Sequence, residues 1–246
     1  MPINLSVNVN KVATLRNSRG GRVPDVLDAV RVCVDAGAPG ITVHPRADQR
    51  HITPSDVREI STLLRSLPGR VEYNMEGDPR PDFLDLVAEI RPDQCTLVPV
   101  TPGERTSQAG WPANTPIEPL SRVVGRLNAI GVRVSIFVNP DPDAVRWAAS
   151  IGGHRVELYT EPFAREFEAG RGDVSFKNYV AAAGLAHALG LGVNAGHDLD
   201  LRNLPLFRQL PHLAEVSIGH ALIGEALYAG LEATVRAYLR ILAQTP

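Results

Sequence analysis

Short runs of β-branched and other apolar residues recur along the chain, and most runs end in a polar or glycine-containing cluster. Runs of this length between turn residues are typical of buried β-strands. Stretches with the apolar spacing of a helix follow nearly every run. The pattern therefore predicts eight strands, at residues 5–9, 40–44, 71–75, 95–98, 132–138, 155–159, 192–194 and 215–218.

A strand followed by a helix, repeated eight times, is the arrangement of a (β/α)₈ barrel. The chain has 246 residues, and such a barrel typically has roughly 250. We therefore predict an α/β protein with a single TIM-barrel domain over residues 1–246 and some extra helical and loop segments. Because active sites in this fold lie at the C-terminal ends of the strands, the clusters that end the runs are expected to lie together.

Residues that begin and end helices fix several of the predicted helices. A helix is predicted to begin near Pro24, after a loop at residues 17–21, since proline suits a first helical turn. Thr53 is predicted to cap the third helical segment, with Asp56 near its positive end. Asp141 is predicted to cap another helix, and the last helix is expected to run from about 220 to 243.

Two segments have the composition of long loops. Residues 99–119 are rich in Pro, Gly, Thr and Ser, and a second loop is expected after the sixth strand, up to about residue 173. Long loops inside compact domains often act as lids over active sites. We therefore expect the segment 99–119 to close over a bound substrate.

Composition and charge exclude several classes of protein. The formal net charge of −2 argues against a general nucleic-acid binder, which would carry a basic surface. No apolar run approaches the ~20 residues that span a bilayer, and the N-terminus lacks the pattern of a signal peptide. Cys33 and Cys95 are predicted to be small core residues in a reducing compartment. These features predict a cytoplasmic protein without nucleic-acid or membrane partners.

The histidines divide into two groups by their position relative to the predicted strands. His44, His51, His197 and His220 follow strands directly or lie in the loops after them. The other three, His154, His187 and His212, lie at a strand start, within a helix and before the eighth strand. A single histidine is often structural, but four at one rim of a barrel favour proton-transfer chemistry.

Two acidic residues stand at unusual places. Glu76 ends an apolar strand and is followed by Gly77, which is expected to give the backbone room to turn. Partial burial there would raise the carboxyl pKa towards that of a general base, whereas a salt bridge to an arginine at the rim is the structural alternative. Glu157 lies inside the sixth strand and would be a costly buried charge unless it is paired or functional.

Two groups of residues are suited to bind anions. Gly196 and Gly219 follow the seventh and eighth strands, where barrels frequently bind phosphate at backbone N–H groups. Cationic side chains follow the first two strands, namely Arg16, Arg19, Arg46, Arg50 and His51. The structural alternative for these cationic residues is a charged, solvent-exposed surface. The two anion-binding groups are expected on opposite sides of His44 and Glu76, and this arrangement suggests two phosphorylated substrates.

Other chemistries remain open at this point. His and Glu side chains could bind zinc, but no closely spaced metal-binding pair occurs and Arg46 would oppose a cation. A Schiff-base aldolase would depend on Lys11, because the other lysine, Lys177, lies in a predicted helix. A barrel that only binds phosphorylated metabolites is the third alternative.

The clusters at the strand ends resemble those of the pyridoxine 5′-phosphate synthase family of vitamin B6 biosynthesis. The resemblance covers nearly the whole chain in order. It rests on Asn8-Val9-Asn10-Lys11-Val12-Ala13-Thr14-Leu15-Arg16-Asn17, Gly40-Ile41-Thr42-Val43-His44-Pro45-Arg46, Arg50-His51-Ile52, Asn74-Met75-Glu76-Gly77, Leu97-Val98-Pro99, Val156-Glu157-Leu158-Tyr159-Thr160, Asn194-Ala195-Gly196-His197 and Ile218-Gly219-His220-Ala221.

The resemblance implies a homo-octameric barrel enzyme that uses neither a metal nor an organic cofactor. It would condense 1-deoxy-D-xylulose 5-phosphate with 3-amino-2-oxopropyl phosphate and release inorganic phosphate and water. His44 and Glu76 would accept protons, His197 would donate one, and Glu157 would stabilise the transition state. The implied contacts of the deoxyxylulose phosphate are Asn10, Lys11, Arg46, His51 and Thr106. Those of the amino ketone are Asn8, Arg19, Asp198, Gly219 and His220.

The chain departs from the family pattern at three places. Many members have Asp-His where this chain has Asn10-Lys11. Val100 follows Pro99 where an acid is common, and Glu161 stands where a glycine is usual. All three proton-transfer positions are intact.

Overall fold

The structure, a computed structural model, describes residues 2–100 and 108–244. Eight parallel strands form a closed barrel in chain order, with β8 pairing β1, which confirms the predicted (β/α)₈ fold. The strands are β1 (Asn4–Asn8), β2 (Gly40–Val43), β3 (Glu72–Gly77), β4 (Gln94–Leu97), β5 (Arg133–Val138), β6 (Arg155–Tyr159), β7 (Gly192–His197) and β8 (Leu213–Ile218).

Helices surround the barrel on its outer side. In chain order they are α1 (Asn10–Asn17), α2 (Val26–Asp35), α3 (Pro54–Ser66), α4 (Pro81–Ile90), α5 (Ile117–Ala129), α6 (Pro142–Ser150), α7 (Glu161–Glu168), α8 (Gly172–Ala188), α9 (Leu204–Phe207), α10 (His220–Ala229) and α11 (Leu231–Leu242). Within the described ranges, none of these helices combines the length and the apolar character needed to cross a membrane.

The strands alternate between two environments. Apolar side chains such as Leu5, Val7 and Ile41 are fully buried in the main hydrophobic core. Polar side chains at the intervening positions form hydrogen bonds across the barrel interior. For example, Gln94 Nε2 of β4 donates to Glu215 Oε1 of β8 at 3.3 Å. Barrel interiors are usually filled by branched apolar residues. Here the apolar core lies outside the barrel, and the interior is a hydrogen-bonded polar layer that leads up to the mouth.

Two predicted helix starts are confirmed by their hydrogen bonds. Thr53 Oγ1 accepts from the backbone N–H of Asp56 at 3.2 Å, and the Asp56 carboxylate accepts from the backbone N–H of Thr53 at 2.8 Å. Asp141 likewise accepts from the N–H groups of Asp143 and Ala144. Such caps bind N–H groups that the first turn of a helix leaves unpaired.

The helix predicted near Pro24 is α2, which starts at residue 26 and is capped by Asp25. Other helix predictions were wrong. The segment after β6 is not one long loop but contains α7, whose Phe163 is buried against Phe207 at 4.9 Å between ring centroids. The last helix is divided into α10 and α11 at Gly230, which has a φ of 85°. The short α1 directly after β1 was not predicted, and its first residues line the mouth of the barrel.

The segment between β4 and α5 is described only in part. Residues 101–107, and with them Thr106, lie outside the described ranges. In the part of the segment that precedes α5, the Trp111 indole N–H donates to the carbonyl of Leu97 at 3.0 Å. The indole N–H of Trp147 in α6 donates to the carbonyl of Thr115. Both predicted core cysteines, Cys33 and Cys95, are buried and unpaired, as expected.

Candidate active site

The C-terminal mouth of the barrel opens into a cavity of about 200 Å³. Residues of strands and of the loops after them line it together with the first turns of α1 and α10. They are Asn8, Asn10, Lys11, Thr14, His44, Arg46, Arg50, His51, Glu76, Val98, Phe137, Glu157, His197, Ser217, Gly219 and His220. Nearly all residues that the sequence predicted for the site therefore lie together.

Three of the residues whose roles the resemblance implies are not among these lining residues. Arg19 is exposed, in the turn after α1. Asp198 is not a lining residue, and its carboxylate contacts His197. Thr106 belongs to the segment that the structure does not describe.

The division of the histidines is confirmed. All four that follow strands line the cavity. Outside it, His187 and His212 stack on each other at 3.7 Å between ring centroids, and His154 Nδ1 accepts from the backbone N–H of Val134. Position relative to a strand was thus sufficient to separate the two groups.

Glu76 lies inside β3, one residue from its end, and its side chain is 12% exposed. Asn8 Nδ2 donates to one carboxylate oxygen at 3.3 Å, and Ser217 Oγ donates to the other at 3.4 Å. Burial raises the pKa of Glu76 to about 7, although the Ser217 hydrogen bond opposes the rise. A carboxylate with such a pKa is suited to accept a proton near neutral pH.

Gly77, which follows Glu76, has a different role from the one predicted. A Cβ at this position would overlap the ring of Phe83, with the nearest ring carbon 2.6 Å away. The glycine therefore allows α4 to pack tightly beneath β3 and does not serve to turn the backbone.

His44 lies beside Glu76, with its Nδ1 3.9 Å from the nearer carboxylate oxygen. Its backbone N–H donates to Asn10 Oδ1 at 2.9 Å, which ties the end of β2 to the start of α1. Burial lowers the pKa of His44 well below its ordinary value, and His51 and Arg46 lower it further. The imidazole is therefore neutral near pH 7, and its Nε2 has no hydrogen-bond partner within the described part of the chain.

Glu157 enters the interior from β6 and is 3% exposed. Thr96 Oγ1 lies 3.5 Å from its carboxylate, and no cation pairs with it among the residues that the structure describes. Burial, together with the charge of Glu76, raises the pKa of Glu157 to about 8. Of the two expected explanations for a buried acid here, a fixed cationic partner is not found in the described ranges, and a functional role stays a prediction.

His197 ends β7 with its ring among aromatic side chains. Tyr159 meets the ring edge-on at 5.4 Å, and Phe137 lies at 6.2 Å. The Asp198 carboxylate lies 3.1 Å from His197 Nδ1. An acid on one ring nitrogen fixes the orientation of the imidazole and leaves the other nitrogen for a substrate.

The cationic side of the cavity differs from the predicted group. Lys11, Arg46, Arg50 and His51 line it, and Arg46 is buried. Arg16 is instead held by the carboxylate of Asp56, at 2.5 and 2.9 Å, so the prediction that it joins this group was wrong. Burial lowers the pKa of His51 to about 4, and the charges of Arg46 and Lys11 contribute. The local potential is therefore positive, which favours an anion.

Sequence reasoning missed two contributors to the site. Ser217 bonds Glu76, and Phe137 forms the wall beside His197. Both lie at inward positions of their strands, so the alternation of side chains along β5 and β8 could have placed them inside the barrel. The sequence could not show that Ser217 contacts Glu76 or that Phe137 contacts His197.

Fold and cavity together define a class of protein, a (β/α)₈-barrel enzyme whose site lies at the C-terminal mouth. The chain matches the family described as pyridoxal phosphate biosynthesis protein PdxJ over residues 5–244. The protein belongs to this family.

Relatives with assigned names support this membership. The chain is 52% identical over 235 residues to the pyridoxine 5′-phosphate synthase of Porphyromonas gingivalis, covering 95% of this chain and 96% of the relative. It is 50% identical over 239 residues to that of Christiangramia forsetii, with 97% and 98% covered. The sequence resemblance to this synthase family is thus confirmed over almost the full chain.

Solved structures support the fold. An aldolase described as 4-hydroxy-2-oxoglutarate aldolase/2-deydro-3-deoxyphosphogluconate aldolase from TTHB1 superposes with a TM-score of 0.64 at 18% identity, covering 97% of this chain and 94% of that one. A thiamine phosphate pyrophosphorylase from Pyrococcus furiosus gives 0.62 at 13% identity, with 98% and 95% covered. At such identities the likeness concerns the barrel alone.

Proposed function

We propose that this chain is a pyridoxine 5′-phosphate synthase, which condenses 1-deoxy-D-xylulose 5-phosphate with 3-amino-2-oxopropyl phosphate and releases inorganic phosphate and water. The observation that carries the proposal is the pair of Glu76 and His44. Both are nearly buried, 3.9 Å apart, at the floor of the cavity. Family membership and the names of the relatives supply the choice of reaction.

The charge states of the two groups suit proton acceptance. The pKa of Glu76 is raised to about 7, so a large fraction of the Glu76 carboxyl groups is ionised at neutral pH. Once protonated, the carboxyl group readily gives the proton up again. The low pKa of His44 leaves its imidazole neutral. In the proposed reaction these two groups take protons from carbon and oxygen of the joined substrates, while His197 delivers a proton to a departing hydroxyl group.

Glu157 is assigned a separate role. Its pKa of about 8 means that it holds a proton at neutral pH when Glu76 is ionised. A neutral carboxyl group donates a hydrogen bond, and an ionised one stabilises a developing cation. In either state it lies beside Gly196 and next to His197, where positive charge on nitrogen is expected during dehydration.

Two sides of the cavity are assigned to the two substrates. Lys11, Arg46 and Arg50 give the side of α1 and β2 a positive potential, and the neutral His51 lies among them, which fits the phosphate of the deoxyxylulose substrate. Opposite them, α10 begins at residue 220 after Gly219, and a helix N-terminus favours an anion. We place the phosphate of the amino ketone there. Asn10 and Thr106 complete the first contact set, and Asn8, Arg19, Asp198 and His220 complete the second.

Family resemblance extends the proposal to the state of the enzyme. We expect a cytoplasmic homo-octamer of one domain per chain, active without a metal or an organic cofactor. Light scattering after gel filtration tests the assembly, and turnover after dialysis against a chelator tests the metal requirement.

The direct experiment is to incubate the purified protein with both substrates and to follow pyridoxine 5′-phosphate by chromatography and mass spectrometry. We expect product and equimolar inorganic phosphate only when both substrates are present. A protein that binds both substrates without forming the pyridine ring would contradict the proposal and favour a binding function.

A further inference from the structure

The backbone at His197 has a conformation that side chains rarely adopt. Its φ is 111°, although it is neither glycine nor asparagine. Such conformations carry an energetic cost and persist where surrounding contacts hold them. The residue that aims its ring into the cavity therefore requires a local restraint.

Thr160 supplies contacts on both sides of this residue. It follows β6, is fully buried, and its Oγ1 donates to the carbonyl of Gly196 at 2.8 Å. The same oxygen accepts from the backbone N–H of Asp198 at 3.2 Å. One hydroxyl group thus bridges the residues before and after His197 and uses its proton and a lone pair to do so.

The second of these bonds also bears on the imidazole ring. Asp198, whose N–H is held by Thr160, places its carboxylate 3.1 Å from His197 Nδ1. The Thr160 hydroxyl therefore fixes the main chain of His197 directly, and it fixes the residue that orients the ring.

We propose that Thr160 is a positioning residue of this enzyme, whose hydroxyl holds the strained main chain at His197 so that the imidazole points into the cavity. The inference rests on the proposed role of His197 as proton donor. Small displacements of a reacting group can cost up to about 10²-fold in rate, so loss of the bridge is expected to affect kcat more than KM.

The test compares variants that keep and lose the hydroxyl. Thr160→Val preserves the shape, and we expect it to lower kcat by about 10-fold or more with KM changed by less than about 3-fold. Thr160→Ser keeps the hydroxyl and is expected to stay within about 3-fold of the wild-type kcat. If Thr160→Val does not fold, Thr160→Cys, which has only a weak donor, is assayed with the same expectation.

Thr234→Val is the matched control. Thr234 is also buried, and its Oγ1 donates to the carbonyl of Gly230 at 2.9 Å in α11, away from the cavity. We expect this variant to lose stability in a thermal melt and to retain kcat. An equal loss of kcat in both variants would mean that the effect at Thr160 is general destabilisation, and would overturn the inference.

A double variant separates the inference from the proposed function. Asparagine is one of the few residues other than glycine that visit positive φ, so His197→Asn is the substitution used to remove the imidazole. If Thr160 acts through His197, adding Thr160→Val to His197→Asn lowers turnover by less than about 2-fold, because coupled residues are not additive. If Thr160→Val lowers turnover by the same factor in the His197→Asn background as in the wild type, the role of Thr160 is overturned and the role of His197 is not affected. Full turnover in His197→Asn would instead refute the proposed role of His197.

Discussion

The carboxylate of Glu157 occupies the space in which a side chain on Gly196 would begin. The two residues lie on the neighbouring strands β6 and β7, and the next residue of β7 is His197. Glycine at this position therefore accommodates the close approach of a buried acid, and its φ is not unusual. The absence of one Cβ leaves the space in which that acid lies.

This relationship predicts the effect of Gly196→Ala. The new methyl group would overlap the Glu157 carboxylate and press on the Ser217 carbonyl, 3.0 Å away. We expect the free energy of unfolding to fall by about 1–3 kcal/mol, which corresponds to roughly 2–4 °C in Tm per kcal/mol for a chain of this size. Calorimetry measures the change.

Gly184→Ala serves as the control for that measurement. Nothing lies within 4 Å of a Cβ at Gly184, which is inside α8. Since alanine is the better helix former by up to about 1 kcal/mol, this variant should melt at or above the wild-type temperature. An unchanged Tm in Gly196→Ala would show that the carboxylate moves aside freely.

Replacing Glu76 by glutamine tests the proposed base. Glu76→Gln is nearly isosteric and keeps an oxygen that can accept from Ser217. We expect turnover to fall by at least about 10²-fold, because a positioned base typically contributes 10²–10⁴-fold. Protection against heat by inorganic phosphate should be unchanged, which shows that fold and anion binding survive. Near-normal turnover would mean that Glu76 is structural.

The pH dependence of kcat/KM follows from the same residue. A base must be ionised, and a carboxyl group ionises above its pKa, so the rate should rise with pH through the Glu76 pKa of about 7. His44 is already neutral there and adds no limb in this range. The Ser217 hydrogen bond lowers the Glu76 pKa, so Ser217→Ala should move the limb to higher pH.

Ser135→Ala is the control for this profile. Ser135 is also buried inside the barrel, but its Oγ has no hydrogen-bond partner within residues 2–100 and 108–244. Its removal should leave the limb in place. A profile in Ser217→Ala that matches the wild type would show that this hydroxyl does not act on Glu76.

Glu157 is expected to reduce stability at alkaline pH. Its pKa rises from 4.5 to about 8 on folding. The folded state therefore binds the Glu157 proton more tightly than the unfolded state does. The protonated carboxyl contributes its full stability at pH values below 4.5, the pKa in the unfolded chain, and this contribution is lost as the pH rises to about 8. Glu157→Gln avoids that loss, so we expect its Tm to exceed that of the wild type by about 5 °C near pH 9 and by little at acid pH.

The matched substitution for Glu157 is Glu89→Gln at the surface. Arg58 holds the Glu89 pKa below its ordinary value, so its ionised form is favoured in the folded protein. Glu89→Gln should therefore show no gain in Tm at alkaline pH. A gain of equal size in both variants would indicate an effect of net charge alone.

Lys11 is predicted to act by its charge and not through a covalent bond. In the proposed condensation the amine of the substrate itself forms the imine. Borohydride added with either substrate should leave the mass of the protein unchanged. Lys11→Gln should raise the KM of the deoxyxylulose phosphate by about 10-fold or more through loss of a charged hydrogen bond, whereas Lys177→Gln, at an exposed position, should not. A reduced adduct on Lys11 would favour the aldolase alternative.

The order of strands and the location of the site could be predicted from sequence because both depend on local patterns. Apolar runs and the residues that end them are determined within a few positions. In a closed parallel barrel all C-terminal strand ends meet at one rim, so His44, Glu76 and His197 had to converge. The helices α1 and α7 were missed because a short helix carries few periodic positions, and packing such as that of Phe163 stabilises it.

Only the tertiary structure decided which charged side chains face the cavity and which are held elsewhere. Arg16 and Arg46 are similar in sequence terms, yet Asp56 binds the first and the second lines the cavity. Ser217 and Glu76 are 141 residues apart and meet across the barrel. Such contacts depend on the tilt and stagger of the closed sheet, and the pKa values depend on the burial that results, so neither is encoded in any local stretch of the chain.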